Sequence, residues 1–393
     1  MKKKVFISGG AGVIGKCLVN LLAEKNYEIF VGDLKDKPQN FNNEIFYRKG
    51  DLNFLNEDEI KSFQPDIFVH LAAVFERTDE SYDFYDNNFR NNITLSYHLL
   101  KTISKLKTVK KIIYASSYLT YDEKIYMGKN NEKNFKIDEN EKLNPRNLIG
   151  ASKLYHEKEL KLFKNYNKSK EVDILRIFRG YGCGSNDIVS RWVRAALLNK
   201  PLKVYGEKGK FDYIFSEDSA NAIFSLIKKK TKNNSNNIFN LGSGQNYQIN
   251  DLLQILKNKF KKIKIIKSNK KILLENSFSN NQKIFKFTDW KPKFTLKKGV
   301  DKIIKYEKQR FKIIKKKDNS NILISSFSEK KFPIFSYIND FNQKNDYFQK
   351  VFISNMKKNI FYNYFGNKFL KLPECKTENY NKIFVILKKN NIK

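Results

Sequence analysis

The glycine-rich run SGGAGVIG at residues 8–15 constrains the fold more than any other feature of this chain. It follows an apolar segment at residues 5–8 that is typical of a β-strand, and it opens an amphipathic segment at residues 16–25. Glycines at positions 9, 12 and 15 allow a tight turn, close approach of the backbone to a pyrophosphate, and close packing of helix on strand. The run therefore predicts a strand–loop–helix unit whose helix N-terminus faces a phosphate group.

The alternation of strand-like and helix-like segments continues to about residue 309. Apolar runs typical of further strands lie at residues 28–31, 67–71, 111–115 and 172–177, and a second apolar helical stripe covers residues 188–198. This order is typical of βαβ units around a parallel sheet. We expect an α/β fold, and 393 residues are enough for one large domain and a smaller unit.

Asp33 ends the second expected strand, 18 residues after Gly15. A carboxylate at this place accepts hydrogen bonds from the hydroxyls of an adenosine ribose. It would also repel a 2′-phosphate, so it favours NAD as the cofactor. Lys35 and Lys37 follow closely, and they leave NADP open as an alternative.

The composition excludes several classes of protein. The formal net charge is +35, but the lysines are scattered and do not form a basic stripe interleaved with stacking aromatics, so we expect no nucleic-acid partner. The charge suits a substrate that contains a pyrophosphate instead. The chain has no apolar run of the roughly 18 residues that a membrane span needs. Its three cysteines are far apart and predict neither a metal site nor disulfides, and we expect a cytoplasmic protein.

Further motifs follow in order along the chain. They are GDL (residues 50–52), HLAA (70–73), NNI (91–93), IYASS (113–117), LRIFRGYG (175–182), NLGSG (240–244) and DWKP (289–292). With the glycine run, they resemble the extended short-chain dehydrogenase/reductase family, the NAD-dependent epimerases and dehydratases of nucleotide sugars. The resemblance covers residues 1–310 and implies a Rossmann-type doubly wound parallel sheet with a smaller substrate-binding lobe, mainly residues 180–310.

The resemblance also implies site residues, a nucleotide-sugar substrate in surface-polysaccharide or related sugar metabolism, and a homodimer. The implied NAD-binding positions are Gly9, Gly12, Val13, Ile14, Gly15, Asp33, Asp51, Leu52, Leu71, Ala72, Ala73, Asn92 and Lys153. Asp51 would meet the adenine, although capping of the following helix is an alternative role. Ser117 stands where the family has its catalytic hydroxyl, and Lys153 where it has its catalytic lysine.

The family pattern breaks at one position. Its Tyr-x-x-x-Lys motif reads Ile149-Gly150-Ala151-Ser152-Lys153 here, and an isoleucine cannot transfer a proton. Loss of a positioned acid–base group costs about 10²–10⁴ in rate. Three interpretations remain: another proton carrier, with Tyr121 or Tyr118 as candidates; a substrate that supplies its own relay; or an NAD-binding module without catalysis.

The expected substrate lobe differs as well. Arg179 stands where the family has an asparagine, and Phe211-Asp212-Tyr213 where it often has Arg-Asp-Phe. Arg179 could hold a phosphate bidentately. Arg191 and Arg194 could do the same from the polar face of their helix, or simply face solvent.

The remaining chain predicts a linker at residues 311–321 and a small α/β segment at residues 322–393. Strands are expected at 322–325, 351–354 and 368–372, and helices at 333–341 and 380–389. The segment resembles the first lobe of an ATP-grasp ligase. Because the ATP-binding lobes are missing, we expect no ligase activity. A remnant, a docking module for a separate ligase partner and an ordinary extension all remain open.

Overall fold

The computed structural model describes residues 2–75, 82–127, 135–230, 237–267, 274–314, 322–324, 351–355 and 369–371. The chain divides into two compact units, residues 1–306 and 307–393. In the part of the chain that is described, no helix is both long and apolar enough to cross a membrane.

The strands and helices have the following bounds. The strands are β1 (Lys4–Ser8), β2 (Glu28–Asp33), β3 (Phe46–Lys49), β4 (Ile67–His70), β5 (Lys111–Ser117), β6 (Glu171–Ile177), β7 (Arg179–Tyr181), β8 (Leu202–Val204), β9 (Lys210–Phe211), β10 (Tyr213–Phe215), β11 (Asn237–Leu241), β12 (Tyr247–Gln248), β13 (Ile265–Lys267), β14 (Asn276–Ser277), β15 (Ile322–Ile324), β16 (Val351–Asn355) and β17 (Phe369–Lys371). The helices are α1 (Val13–Glu24), α2 (Glu57–Phe63), α3 (Tyr82–Asn88), α4 (Leu95–Ser104), α5 (Leu148–Tyr166), α6 (Ile188–Leu197), α7 (Ser216–Lys228), α8 (Ile249–Lys259), α9 (Gln282–Phe287) and α10 (Leu296–Ile314).

The larger unit is built on a seven-stranded sheet in the order β11-β6-β5-β4-β1-β2-β3. All neighbouring strands run parallel. The predicted parallel α/β sheet and its five expected strands are therefore confirmed as β1, β2, β4, β5 and β6. The order reverses between β1 and β4, and in sheets of this kind ligands bind outside the carboxyl ends of the strands at such a reversal.

Apolar side chains cover both faces of the sheet. Along β1, Val5 and Ile7 belong to one buried cluster, and Phe6 between them belongs to another on the opposite face. Successive strand residues point to opposite faces, so this strand must be apolar throughout. Helix α1 buries Leu18 and Leu22 against the first cluster.

A third buried cluster lies under the chain that follows β6. Trp192 and Val193 of α6 pack there with residues of α8 and α10, which confirms the predicted apolar stripe of the helix at 188–198. Strands β7 and β10 form a parallel pair beside it. These elements form a smaller lobe with its own buried core.

Beyond the end of α10, the second unit is described only at three short strands. They pair in parallel in the order β15-β16-β17, which confirms the expected strands. The expected helices at 333–341 and 380–389 lie outside the described residues. Helix α10 continues to Ile314, through the first residues of the expected linker.

Candidate functional site

The glycine run forms the turn between β1 and α1 at the reversal of strand order. Gly9 has φ +77°, and a Cβ on it would lie 2.5 Å from the backbone nitrogen of Ala72. A Cβ on Gly15 would lie 2.5 Å from the Gly9 carbonyl oxygen. Both positions need glycine for the fold itself, because the backbone of one segment passes directly over the other.

Gly12 is different, because the fold alone does not require it to be glycine. Its φ is −69°, and a Cβ there would meet only the Gly9 carbonyl oxygen, at 3.1 Å. It precedes α1, which has no side-chain cap and no acidic residue in its first turn, formed by Val13, Ile14 and Gly15. An uncapped helix N-terminus beside a small residue suits an approaching pyrophosphate. These residues therefore fit a dinucleotide.

Asp33 lies at the carboxyl end of β2, next to the same turn. Its carboxylate accepts hydrogen bonds from the backbone nitrogens of Ala11, at 2.9 Å, and Lys35, at 3.0 Å. The amine of Lys37 donates to the Ile45 carbonyl oxygen at 3.0 Å. The buried carboxylate of Asp33 is thus fixed beside the glycine turn. The amine of Lys37 is bound to the Ile45 carbonyl oxygen instead.

Leu71, Ala72 and Ala73 run along the other side of the turn. The backbone nitrogen of Leu71 donates to the Ser8 carbonyl oxygen at 2.9 Å, and Ala72 lies against Gly9. Asn92 holds the next residue, Val74: its side chain accepts from the Val74 nitrogen at 2.9 Å and donates to the Val74 oxygen at 3.1 Å.

Asn92 itself lies in a π-helical segment, Phe89–Thr94, between α3 and α4. Its amide also donates to Asn88, whose own amide donates to the Ser152 hydroxyl on α5. Segments of this kind are frequent at functional sites. The sequence did not indicate this π-helical segment, because a π-helical turn shifts the spacing of apolar residues by only one position relative to an α-helix.

Asp51 precedes a short 3₁₀ turn at Leu52–Phe54. Its carboxylate accepts from the Asn53 backbone nitrogen at 2.9 Å and forms an ion pair with Arg90. Helix α2 is capped by Asn56 instead, so the alternative role of Asp51 as the cap of that helix is wrong. Leu52 is buried against Gly32 of β2.

Ser117 and Lys153 both lie near the carboxyl end of β5. Ser117 ends the strand and caps the 3₁₀ turn Tyr118–Thr120 by accepting from the Leu119 backbone nitrogen. Lys153, on α5, is 4% exposed, and its Nζ donates to the Ala115 carbonyl oxygen at 2.7 Å. Burial lowers the pKa of Lys153 to about 7.

Ile149 lies one helical turn before Lys153 and is 2% exposed. The start of α5 is fixed by Asn147, which caps it by accepting from the Gly150 nitrogen at 2.9 Å. Gly150 packs so closely on the chain at Leu119 that a Cβ would lie 2.2 Å from that carbonyl oxygen. Ile149 is thus buried at the start of a helix that packs closely on the chain after β5.

The hydroxyls of Tyr121 and Tyr118, the two candidate proton carriers, are bonded to other side chains. The Tyr121 hydroxyl is buried and donates to the Asn240 side-chain oxygen at 2.6 Å. The Tyr118 hydroxyl donates to Glu275 at 2.8 Å. Burial raises the pKa of both phenols. The hypothesis that Tyr121 carries the proton therefore receives no support from its position.

A buried ion pair beside Lys153 was missed in the sequence. Glu157 accepts from Nε of Arg176 at 3.1 Å and from its terminal nitrogen at 2.7 Å, and it also accepts from the Ser116 hydroxyl. The Arg176 guanidinium lies 4.7 Å from the centre of the Tyr121 ring. The carboxylate nearest to Lys153 along α5 is therefore already paired with an arginine.

Arg179 is the first residue of β7. It forms an ion pair with the buried Glu275 at 2.6 Å, and Arg146 reaches the same carboxylate oxygen at 3.3 Å. The Arg179 guanidinium lies 4.7 Å from the centre of the Phe211 ring. Arg179 therefore lies beside the ring of Phe211, the position at which the family resemblance leads us to expect an arginine.

The other two candidate arginines lie on α6. Arg194 donates to the Ser185 carbonyl oxygen at 2.8 Å and to the Asn186 side chain at 3.2 Å, so it holds the loop before the helix. Arg191 is exposed. The structure therefore brings Arg179 into a cluster of charged groups with Glu275 and Arg146. Across the described ranges, no group of side chains is arranged to hold a metal ion.

Comparisons with known proteins agree with this geometry. The sequence model of the NAD dependent epimerase/dehydratase family matches residues 5–242. A putative UDP-glucose 4-epimerase of Methanocaldococcus jannaschii is 26% identical over 77% of this chain and 98% of its own length. A dTDP-D-glucose 4,6-dehydratase of Dictyostelium discoideum is 30% identical over 64% of this chain and 60% of its own length. The solved structure of MoeE5 in complex with UDP-glucuronic acid and NAD covers 78% of this chain and 99% of its own, with a TM-score of 0.69 and 21% identity.

Proposed function

Because this chain belongs to the NAD dependent epimerase/dehydratase family, we propose that it binds NAD and exchanges a hydride with a nucleotide sugar. The uncapped N-terminus of α1 behind Gly12 carries this proposal. It is supported by the fixed carboxylate of Asp33, which suits the ribose of NAD better than the phosphate of NADP. Bound NAD would supply the acceptor or donor of the hydride.

Residues of this chain would bind and position the sugar and the cofactor. Ser117 would hydrogen-bond the reacting oxygen of the sugar from the end of β5. Lys153 would hold the cofactor ribose, and Asn92 would keep the chain after Ala73 in place. Arg179 would contact the diphosphate, with Glu275 and Arg146 fixing its guanidinium.

The relatives include both an epimerase and a dehydratase, so the family does not select between these reactions. A role in polysaccharide synthesis and a cytoplasmic location stay predictions from the sequence. A substrate that supplies its own relay stays an open alternative.

A second candidate function is an NAD-binding module without catalysis. The observation that favours it is Ile149, which is buried where the family has its proton carrier. The test is to incubate the protein with NAD and nucleotide sugars and to follow the sugars by NMR. A new sugar signal supports hydride transfer, whereas cofactor binding without any change of the sugar supports the module.

We also propose a homodimer. Tyr155, Leu162 and Tyr166 are exposed and, at spacings of seven and four residues, they share one face of α5. Tyr97 on α4 is exposed as well. Two such helices from each copy would bury these side chains in a four-helix contact. Sedimentation of the protein and of a Leu162→Glu variant tests this. A ligase partner for residues 322–393 stays a prediction.

A further inference from the structure

The group that moves the proton is the open question of the proposed function, on which this inference rests. Among the described tyrosines beside Ser117, the hydroxyls of Tyr118 and Tyr121 donate to other side chains. The Tyr126 hydroxyl is buried without a hydrogen-bond partner. Burial raises the pKa of each of these phenols, so each keeps its proton near neutral pH. None of them is suited to act as a base.

Lys153 occupies the right place for such a group. It lies one turn after Ile149 on α5, and its amine is bound to the Ala115 carbonyl oxygen, two residues before Ser117 on β5. Ser117 ends β5, so the amine is bound to the same end of the strand that carries this hydroxyl. The amine therefore lies near the strand end from which Ser117 would hold the reacting oxygen.

The surroundings of Lys153 favour a neutral amine. Its Nζ lies 4.8 Å from the centre of the Tyr114 ring, and the buried His70 and His156 flank the same space. Burial is the main cause that lowers its pKa, to about 7, and Glu157 opposes this. Glu157 is held by two hydrogen bonds from Arg176, so its charge is largely compensated. A group with this pKa can both accept and return a proton near neutral pH.

We propose that Lys153 itself carries the proton that a tyrosine carries elsewhere in the family. When a secondary alcohol of the sugar is oxidised, its carbon loses a hydride to oxidised NAD, and its hydroxyl loses a proton to the Lys153 amine. The C–H and O–H bonds break and a carbonyl forms. The ammonium then holds the proton, reduced NAD holds the hydride, and the reverse step returns both.

The first test compares two lysine-to-arginine variants of the full chain on α5. Lys153→Arg keeps the positive charge but cannot release a proton, so we expect kcat to fall by about 10²-fold or more. The dissociation constant of NAD should change much less. Lys164→Arg is the matched control, because the Lys164 amine is also buried and donates to the carbonyl oxygens of Lys168 and Lys170. It should keep its activity.

A second test measures the titration of Lys153 without catalysis. If the folded pKa is about 7 and the unfolded one about 10.4, the unfolded chain binds more protons between these values. The free energy of unfolding of the wild type, relative to Lys153→Met, should then rise with pH through this window. Below about pH 7 both states are protonated, and the difference should be constant. A difference that stays flat up to about pH 9 would overturn the proposal.

The remaining outcomes separate this proposal from the proposed function. If the wild type turns over a sugar and Lys153→Arg does so equally fast, another group carries the proton and only this proposal fails. Loss of turnover in Tyr126→Phe, with Lys153→Arg active, would identify that group as Tyr126. If the wild type binds NAD but changes no sugar, the hydride-transfer function fails and this role of Lys153 fails with it.

Discussion

The two halves of the site differ in how closely they follow the family pattern. On the cofactor side, Gly9, Gly15 and Asp33 stand at positions that the backbone geometry explains. On the reaction side, Ile149 on α5 and Arg179 on β7 depart from the pattern. The comparison indicates that the scaffold constrains the cofactor side directly, while the reaction side can change its chemistry without a change of fold.

The largest effects are expected for two glycines on the cofactor side, of which Gly9 is needed for folding and Gly12 for NAD binding. We expect Gly9→Ala to prevent folding, since its Cβ would lie 2.5 Å from backbone that cannot move. Gly12→Ala should fold, but its methyl group would press against the pyrophosphate at a cost of about 2–3 kcal/mol. We therefore expect its affinity for NAD to fall by about 100-fold. Circular dichroism and calorimetric titration check both. Equal NAD binding by Gly12→Ala and wild type would contradict the placement of the phosphate.

The next effect concerns the position where the reaction side departs most. Ile149→Tyr restores the phenol one turn before Lys153, and we expect kcat to rise on the order of 10²-fold, the lower part of the range for a positioned acid–base group. Ile149→Phe is the control, because it has the same ring without the hydroxyl. Steady-state rates with one nucleotide sugar decide this. Equal rates for the two variants would show that proton transfer does not limit turnover.

A smaller effect is expected from substitution of Arg179. Arg179→Asn should raise KM for the nucleotide sugar about tenfold, since a charged hydrogen bond to phosphate is lost. Adding Phe211→Arg should recover most of this loss, because it returns the charge to the position that the family uses. Arg194→Ala, with its guanidinium bound to the loop before α6, serves as the comparison. If Arg179→Asn leaves KM unchanged, the diphosphate lies elsewhere.

The smallest effect returns to the cofactor side. Asp33→Asn keeps one side-chain acceptor for the Ala11 or Lys35 nitrogen but removes the charge that disfavours a 2′-phosphate. We expect the preference for NAD over NADP to fall by about fivefold. Fluorescence titration with both cofactors measures it. An unchanged preference would assign the selectivity to another residue.

The sequence predicted the cofactor side better than the reaction side for a physical reason. The glycine turn and Asp33 depend on local backbone geometry, which leaves a signal at short spacing. Contacts such as Tyr118 with Glu275 join residues 157 positions apart, and no local pattern marks them. The pairing of Glu157 with Arg176 likewise depends on how α5 packs on β6. Edge strand β3 was missed because it is short and half exposed.

The most direct test of the central claim follows hydride transfer itself. The protein is incubated with NAD and a panel of nucleotide sugars in deuterated buffer, and the sugars are followed by NMR with NAD binding verified in the same sample. We predict that at least one sugar is converted, as a shifted or deuterium-labelled product, although Ile149 replaces the tyrosine. Verified NAD binding with every sugar unchanged would contradict this account, and would favour a protein that has kept the cofactor fold without its reaction.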